Sequence, residues 1–282
     1  MKKIIKLIIK FFIYSVISLL SKTLFGRYIN QAIFEAVRKI TKKISYKNLN
    51  LEFFTPNILT YWRVDTFATK EPETLDWIDT FEDGSIFWDI GANIGLYTCY
   101  AAKKKKSKVF SFEPSIFNLE ILARNIFINN LSSLVTIIPI PLSDNIKLSS
   151  LNMTSTQLGG ALSTFDKNYG HDGNLINQIF NYRTIGISSD KLSNFFNLEK
   201  PDYIKLDVDG IEHLILEGSI ETIKNVKSLL VEVDDDFNEL SVKIRSFLLE
   251  NNFVAKEKKH SKIIEDSEEF KNSFNQIWIK NE

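Results

Sequence analysis

The order of apolar and polar positions along this chain predicts alternating strands and helices. Short runs rich in β-branched and aromatic residues predict strands, and longer segments with apolar residues every three or four positions predict helices. The predicted strands are Ile86–Ile90, Val109–Phe112, Val135–Ile140, Tyr203–Leu206, Ser228–Val233, Phe253–Lys256 and Gln276–Ile279. The predicted helices are Ile94–Ala102, Ile116–Asn129, Asp190–Phe196, a segment starting at Ile211, and Phe237–Asn251. This alternation predicts an α/β fold with a mostly parallel sheet, closed by an antiparallel pair formed by the last two strands.

The first residues follow a different pattern. Between Met1 and Ser21, polar residues recur at helical spacing among large aliphatic and aromatic ones, at Lys3, Lys6, Lys10, Tyr14, Ser18 and Ser21. This pattern predicts an amphipathic helix, and the apolar spacing continues from Arg27 to Ile44. The sequence therefore predicts a helical extension over residues 1–48, followed by a domain over residues 49–282.

The charge of the chain is concentrated in this extension. The net charge of the 282 residues is zero, yet residues 1–48 carry eleven Lys or Arg and the single acid Glu35. Because the basic residues alternate with large aliphatic ones, residues 1–47 are expected to contact an anionic membrane rather than nucleic acid. The apolar stretch is too short to span a bilayer. The alternative is a helix packed on the domain or on a partner subunit. Cys99 is the only cysteine, so no internal disulfide forms, and a cytoplasmic protein touching the inner membrane face is predicted.

The alternation is interrupted by residues 141–185, where two glycine-rich pieces separate short polar and aromatic segments. These pieces are Gly159-Gly160 and Gly170–Asn174. An insertion on the ligand side of the sheet is the interpretation we favour, and it is expected to cover the site of the second substrate.

The most informative turn follows the first predicted strand of the sheet. Asp89-Ile-Gly91-Ala-Asn93-Ile-Gly95 joins a buried strand to a helix through residues small enough for a sharp bend. It lacks the third glycine of a dinucleotide site. Glu113, at the end of the next strand, is placed to accept hydrogen bonds from two ribose hydroxyls. Together these features favour a nucleoside ligand without phosphates.

Three motifs in this order resemble the FkbM family of S-adenosylmethionine-dependent methyltransferases. They are Asp-Ile-Gly-Ala-Asn-Ile-Gly at 89–95, Phe-Glu-Pro at 112–114 and Ile-Lys-Leu-Asp-Val-Asp-Gly-Ile-Glu at 204–212. The resemblance runs from about Arg63 to Glu257, includes Lys70-Glu71-Pro72-Glu73-Thr74, and departs from the family at Asp209, where glutamate is usual.

The resemblance implies a Rossmann-like class I methyltransferase sheet that binds S-adenosylmethionine. The residues it implies for the cofactor are Asp89, Gly91, Asn93, Gly95, Glu113 and, where related folds contact adenine, Ser143. It also implies O-methylation of a hydroxyl on a sugar, a glycan or a related natural product. Two alternatives stay open: a nucleotide-dependent oxidoreductase, and an inactive cofactor-binding protein that serves in assembly.

A hydroxyl acceptor needs a group that removes its proton. Strand periodicity places Lys205, Asp207 and Asp209 on one face, at the sheet edge where doubly wound folds bind ligands. Asp207 is the first candidate, with Asp209, Glu212 and His171 as the others. The competing interpretation of Asp207 is a buried Lys–Asp pair that only caps the strand.

A metal site is the remaining alternative in this region. Glu232 ends a strand and is followed by Asp234, Asp235 and Asp236, and several carboxylates near Asp207 and Asp209 suit a hard divalent cation. Acids after a strand also cap helices, and Asp235 or Asp236 is expected to cap the next one. Capping is the interpretation we favour, so no metal is predicted.

Overall fold

The computed structural model describes residues 2–281 and, for residues 2 and 3, the backbone alone. Its strands are β1 (Thr41–Tyr46), β2 (Leu49–Phe54), β3 (Ile86–Ile90), β4 (Lys108–Phe112), β5 (Val135–Ile138), β6 (Lys147–Met153), β7 (Ser163–Phe165), β8 (Phe180–Gly186), β9 (Tyr203–Leu206), β10 (Ser228–Asp234), β11 (Phe253–Lys259) and β12 (Ser273–Lys280). The first five helices are α1 (Lys2–Leu20), α2 (Leu24–Val37), α3 (Ile58–Asp65), α4 (Pro72–Asp79) and α5 (Leu96–Lys105). The others are α6 (Ile116–Ile128), α7 (Ser189–Phe196), α8 (Glu212–Glu217), α9 (Asn238–Glu250) and α10 (Lys262–Glu265), with a 3₁₀ turn at Thr222–Asn225.

A seven-stranded sheet forms the centre of the molecule. Its order is β11-β12-β10-β9-β3-β4-β5, and β12 runs antiparallel to both of its neighbours. The pairs β10–β9, β9–β3, β3–β4 and β4–β5 are parallel. The predicted α/β class and the antiparallel closing pair are therefore confirmed.

Each face of this sheet packs against its own hydrophobic core. Trp88 and Leu206 belong to one core, whereas Phe87 and Tyr203 belong to the other. The strands are apolar on both faces because helices cover both sides, as is usual for parallel sheets. The polar exceptions gather where β3, β9 and β10 end.

The first strands correct the predicted extension. The chain is helical only to Val37 and then forms the antiparallel hairpin β1–β2, whereas the sequence predicts helix up to Ile44. The hairpin forms because Leu51, Phe53 and Phe54 are buried against the domain, and this tertiary packing outweighs the helical spacing. Four of the eleven basic residues pair with acids of the folded domain: Arg38 with Glu120, Lys42 with Asp65, Lys43 with Glu52, and Lys47 with Asp76 and Asp79.

Helix α1 keeps most of its apolar side chains in solvent. Ile4 is 64% exposed and Phe11 74% exposed, and Leu24 and Phe25 at the start of α2 are exposed as well. A helix packed on its own domain would bury such residues, so packing on the domain is wrong, whereas packing on a partner subunit stays open. Among residues 2–281, no helix is long and apolar enough to cross a bilayer.

The predicted insertion is a small antiparallel sheet with the order β7-β6-β8. It occupies residues 147–186 and returns to the main domain through a parallel bridge between Leu142 and Ile187. Asp209, from the loop after β9, accepts hydrogen bonds from the amides of Leu162 and Ser163 at 2.8 and 3.3 Å. The insertion is thereby held at the carboxyl ends of the sheet strands.

Candidate active site

The turn after β3 bends where the sequence predicts. Gly91 and Gly95 have φ angles of 87° and 80°, and Asn93 has a φ of 50°, so all three lie in the left-handed region. A Cβ on Gly91 would lie 1.8 Å from the carbonyl oxygen of Asp207, and one on Gly95 would lie 2.4 Å from Leu122 Cδ1. Gly91 is thus required by the backbone that packs against it, and Gly95 by its positive φ. Helix α5 begins two residues later than the predicted helix.

Glu113 is buried and holds this turn together. Its Oε2 accepts a hydrogen bond from the Asn93 amide at 2.8 Å, and its Oε1 accepts one from the Ser115 amide at 2.7 Å. Burial raises the pKa of Glu113 to about 8, although these amides favour the charged form. Each oxygen keeps a lone pair for a ligand, so the carboxylate can accept further hydrogen bonds.

Two buried polar atoms near the turn have no partner among residues 2–281. One is Oδ1 of Asp89, whose Oδ2 accepts a hydrogen bond from Thr98 Oγ1 at 2.5 Å, and the other is Oδ1 of Asn93. Burial raises the pKa of Asp89. Unpartnered buried acceptors are costly, so these two atoms fit a polar ligand with N–H or O–H donors.

The insertion reaches this turn through Gly159 and Gly160. Asn93 Nδ2 donates to the Gly160 carbonyl at 2.8 Å, and Asn118 bonds both glycines at 3.0 Å. Arg63 Nε donates to the Gly159 carbonyl at 2.7 Å. These contacts bring one glycine pair of the predicted insertion directly beside Asn93 and Glu113.

The end of β9 carries an ion pair between buried groups. Lys205 Nζ lies 2.5 Å from Asp207 Oδ2, and the two side chains are 2% and 24% exposed. Burial acts to raise the pKa of Asp207, but the Lys205 ammonium outweighs it and lowers the pKa to about 2. The Lys–Asp pair of the competing interpretation is therefore present, and the Asp207 carboxylate is partly exposed and ionised. The catalytic assignment of Asp207 stays a prediction.

The carboxylates of Asp209 and Glu212 accept hydrogen bonds from backbone amides. Asp209 fixes the insertion as described above, and burial together with the neighbouring Asp207 charge raises its pKa. Glu212 accepts from the amides of Val208 and Gly210 at 3.1–3.2 Å, and burial raises its pKa to about 7. Both geometries shape the loop after β9. The catalytic assignments of Asp209 and Glu212 stay predictions.

His171 comes from the insertion to the same edge of the sheet. Its Nε2 lies 3.7 Å from Asp234 Oδ2, and its ring stacks on Phe270 at 5.1 Å. A Cβ on Gly210 would lie 2.5 Å from the Gly170 carbonyl, so the backbone before His171 rests directly on the loop after β9. The structure thus places His171 beside Asp234 and the loop after β9, and its catalytic assignment stays a prediction.

Glu232 completes a group of carboxylates at the strand ends. One oxygen from each of Asp207, Asp209 and Glu232 lies within 4.8 Å of the others. Burial, reinforced by the charges of Asp207 and Glu71, raises the pKa of Glu232 well above its usual value. The geometry is compatible with a divalent cation, and it equally suits a protonated Glu232 beside an ionised Asp207.

The predicted helix cap after β10 is wrong. Phe237 occupies the N-cap position of α9, with no side-chain cap hydrogen bond. Asp235 pairs with Lys258 at 2.6 Å, and Asp236 accepts hydrogen bonds from Asn272. The acids turn toward partners on and near β11 and β12 because those segments flank the end of β10.

Ser143 is buried and hydrogen-bonded to residues of its own segment and of the segment after β8. Its hydroxyl donates to Asp144 at 2.8 Å, and its amide donates to the Ile187 carbonyl. Neither contact involves the turn after β3 or Glu113. Its assignment to the cofactor stays a prediction.

Sequence reasoning assigns no role to several residues from the segment before β3. Lys70 Nζ lies 2.5 Å from Glu71 Oε1, and Thr74 Oγ1 donates to Glu71 Oε2 at 3.4 Å. Burial acts to raise the pKa of Glu71, but Lys70 and Lys205 lower it. The run Lys70–Thr74 belongs to the resemblance and is the one sequence signal for this group. No periodicity places Arg63 here, because its position depends on the packing of α3.

Comparisons with known proteins agree with this geometry. The family profile described as the methyltransferase FkbM domain matches residues 89–255. The hexuronic acid methyltransferase AglP of Haloferax volcanii is 24% identical over 181 residues, which are 64% of this chain and 69% of that protein.

Solved structures with a similar arrangement include methyltransferase FkbM from Methylobacillus flagellatus KT, with a TM-score of 0.49 and 16% identity. That similarity covers 71% of this chain, which spans only 44% of the other. TYW2 of M. jannaschii in complex with AdoMet has a TM-score of 0.44 and 12% identity, covering 86% of this chain and 87% of that one.

The profile match covers more than half of the chain and includes the turn after β3, Glu113 and the loop after β9. The oxidoreductase alternative is therefore set aside. This chain belongs to the FkbM methyltransferase family, as its three motifs indicate.

Proposed function

We propose that this protein transfers a methyl group from S-adenosylmethionine to a hydroxyl of a sugar or glycan. Family membership supports methyl transfer, and the name of the Haloferax relative supports a sugar acceptor of the hexuronic acid class. The observation that carries the cofactor assignment is Glu113. It is a buried carboxylate at the end of β4, bonded to the amide of Asn93 in the turn and able to accept from two more hydroxyls.

The residues that would hold the cofactor follow from the unsatisfied groups. Glu113 accepts hydrogen bonds from the ribose hydroxyls, and the unpartnered oxygens of Asp89 and Asn93 accept from polar groups of the amino-acid part. S-adenosylmethionine supplies an activated methyl group when it is bound. The loop of Gly159 and Gly160 lies against the turn and limits the access of water to it.

We assign to Asp207 the role of the base that takes the proton of the acceptor hydroxyl. It is ionised at neutral pH because Lys205 compensates its charge, and it is partly exposed at the ligand edge of the sheet. A hydroxyl that gains a methyl group becomes strongly acidic as the new bond forms. A carboxylate with a low pKa can therefore take its proton, provided that it lies within hydrogen-bond reach.

Assays with the full-length protein test this function. We expect S-adenosylmethionine and S-adenosylhomocysteine to bind in calorimetry and NAD not to bind. Incubation with glucuronic and galacturonic acid glycosides and with neutral hexosides is expected to give a methyl ether detectable by mass spectrometry. Failure to bind S-adenosylmethionine would overturn the proposal. Binding without transfer to any acceptor would favour the inactive assembly protein instead.

Chelation of divalent cations is expected to leave the methylation rate nearly unchanged. Asp207 Oδ2 is already bonded to the Lys205 ammonium, and Asp209 Oδ2 accepts two backbone N–H groups. A cation at this cluster would have to displace these donors. The measurement is the initial rate with and without EDTA. A rate abolished by EDTA and restored by Mg²⁺ would contradict the prediction and assign the Asp207, Asp209 and Glu232 carboxylates to a metal.

We further propose that α1 lies on an anionic membrane surface. Its exposed apolar residues include Leu7, Ile8, Phe11 and Phe12, and Lys6 and Lys10 lie on the same helix. Lys3, the third lysine of the predicted stripe, has a side chain outside those described. Each basic residue near an anionic bilayer contributes about 1 kcal/mol, and this attraction weakens as salt rises.

Flotation with liposomes checks the membrane contact. The full-length protein is expected to float with phosphatidylglycerol vesicles at low salt, less at high salt, and poorly with neutral vesicles. Leu7→Glu combined with Phe11→Glu is expected to abolish flotation. The matched control is Ile58→Glu, because Ile58 is 86% exposed at the start of α3. Equal flotation of the double variant and the control would show that α1 is a subunit contact or has another role.

A further inference from the structure

Three basic residues lie close to the carboxylates at the carboxyl ends of the sheet. Lys205 pairs with Asp207, and Lys70 pairs with Glu71. Arg63 is the third, and the charges of Glu71, Asp209 and Asp207 all act on it. Of the three, only Arg63 has no carboxylate partner within ion-pair distance in the described part of the chain.

Only one nitrogen of the Arg63 guanidinium has a hydrogen-bond partner among residues 2–281. Its Nε donates to the Gly159 carbonyl at 2.7 Å, and both terminal NH2 groups have no hydrogen-bond partner among residues 2–281. The helix that carries it is fixed as well. Asn57 caps α3 in a capping box with Thr60, and Asn57 Nδ2 donates to the Leu158 carbonyl at 2.9 Å. Arg63 is thus a half-buried, pre-positioned fork of donors at the junction of α3 and the insertion.

A fixed guanidinium with two free NH2 groups matches a carboxylate, which accepts two parallel hydrogen bonds. Four carboxyl groups lie nearby, but they repel a bound anion less than four full negative charges would. Asp207 and Glu71 are each compensated by a lysine, and burial favours the neutral forms of Asp209 and Glu232. The uncompensated charge nearest to Gly159 is therefore the positive charge of Arg63.

We propose that Arg63 binds a carboxylate of a ligand in this active site through its two terminal NH2 groups. If the protein has the proposed function, this carboxylate comes from one of two sources: the amino-acid tail of the cofactor, or a uronic acid acceptor. Arg63 is then a specificity-determining residue that joins the turn after β3, the insertion and the acid-rich edge into one site.

Calorimetry on full-length Arg63→Gln and Arg63→Lys separates the two sources. If the cofactor tail is bound, Arg63→Gln weakens S-adenosylhomocysteine at least tenfold and leaves 5′-methylthioadenosine, which lacks the carboxylate, unchanged. If the acceptor is bound, the complex with S-adenosylhomocysteine prefers methyl glucuronoside to methyl glucoside at least tenfold, and Arg63→Gln removes that preference. Arg63→Lys keeps the positive charge but lacks the two parallel N–H donors. Its affinities are expected to lie between those of the unmodified protein and those of Arg63→Gln.

The control is Arg245→Gln, an exposed arginine on α9. A purely structural role of the bond to Gly159 would weaken S-adenosylhomocysteine and methylthioadenosine equally, and this result would overturn the proposal. So would affinities for all four ligands that stay within twofold of the unmodified protein. Because these are binding measurements, they decide the role of Arg63 even if no acceptor is methylated. Methyl transfer itself is decided separately, by the turnover assay.

Discussion

Replacing Asp207 with asparagine is expected to lower kcat by about 10²–10⁴ while changing the affinity for S-adenosylhomocysteine only slightly. The amide keeps the shape of the side chain but cannot take a proton from the acceptor. The measurement is the initial rate of methyl transfer at saturating cofactor, together with calorimetry. Asp235→Asn, in an exposed ion pair with Lys258, is the matched control and is expected to keep full activity.

The ion pair adds a structural cost that the experiment must separate. Removing one partner of a buried pair destabilises a protein by about 3–5 kcal/mol, because the other charge stays buried without compensation. We therefore expect a lower Tm for Asp207→Asn. Adding Lys205→Met removes the uncompensated ammonium and is expected to recover Tm but not kcat. If activity returns together with stability, Asp207 only caps the strand and the base lies elsewhere, with His171 the next candidate.

Replacing Glu113 with alanine is expected to weaken S-adenosylhomocysteine by about 2–3 kcal/mol, or about 30- to 150-fold in Kd, because two charge-assisted hydrogen bonds are lost. Calorimetry measures the change. Glu120→Ala, on the exposed side of α6, is the control. A Kd that is unchanged in a folded Glu113→Ala protein would remove Glu113 from the cofactor site.

The raised pKa of Glu113 adds a pH dependence with a definite sign. Below its pKa of about 8 the Glu113 carboxyl is protonated in the free protein. The ribose hydroxyls of the ligand donate more strongly to the ionised carboxylate, so the ligand binds that form better. Affinity for 5′-methylthioadenosine is therefore expected to rise by up to about tenfold per pH unit from pH 6.5 to 8 and to level off above. Glu113→Gln is expected to be flat over this range. Parallel curves for the two proteins would assign the dependence to another group.

Local chemistry explains why much of the fold is predictable from the sequence. Strands such as Ile86–Ile90 and Tyr203–Leu206 match their predicted bounds because they are short apolar runs flanked by turn residues or by polar residues, and burial on both faces leaves no competing conformation. The turn at Gly91 and Gly95 is predictable because only residues tolerant of positive φ can adopt it. The order of motifs along the chain then identifies the family.

Long-range contacts decide what the sequence does not. The apolar spacing up to Ile44 is compatible with a helix, and only the burial of Phe53 and Phe54 against the domain selects the hairpin. The aspartates after β10 have the composition of a helix cap, yet Lys258 and Asn272 from distant segments bind them instead.

The α/β class and the turn after β3 follow from local patterns of apolar and small residues, and the same motifs make Glu113 and Asp207 candidates for the site. Which charges compensate one another depends instead on contacts between distant segments. Lys205 pairs with Asp207 and Lys70 with Glu71, while Arg63 is left with free donors, since α3, β9 and the insertion meet at one sheet edge. Ion pairing depends on distances of a few ångströms between segments far apart in the chain, and no local pattern encodes such distances.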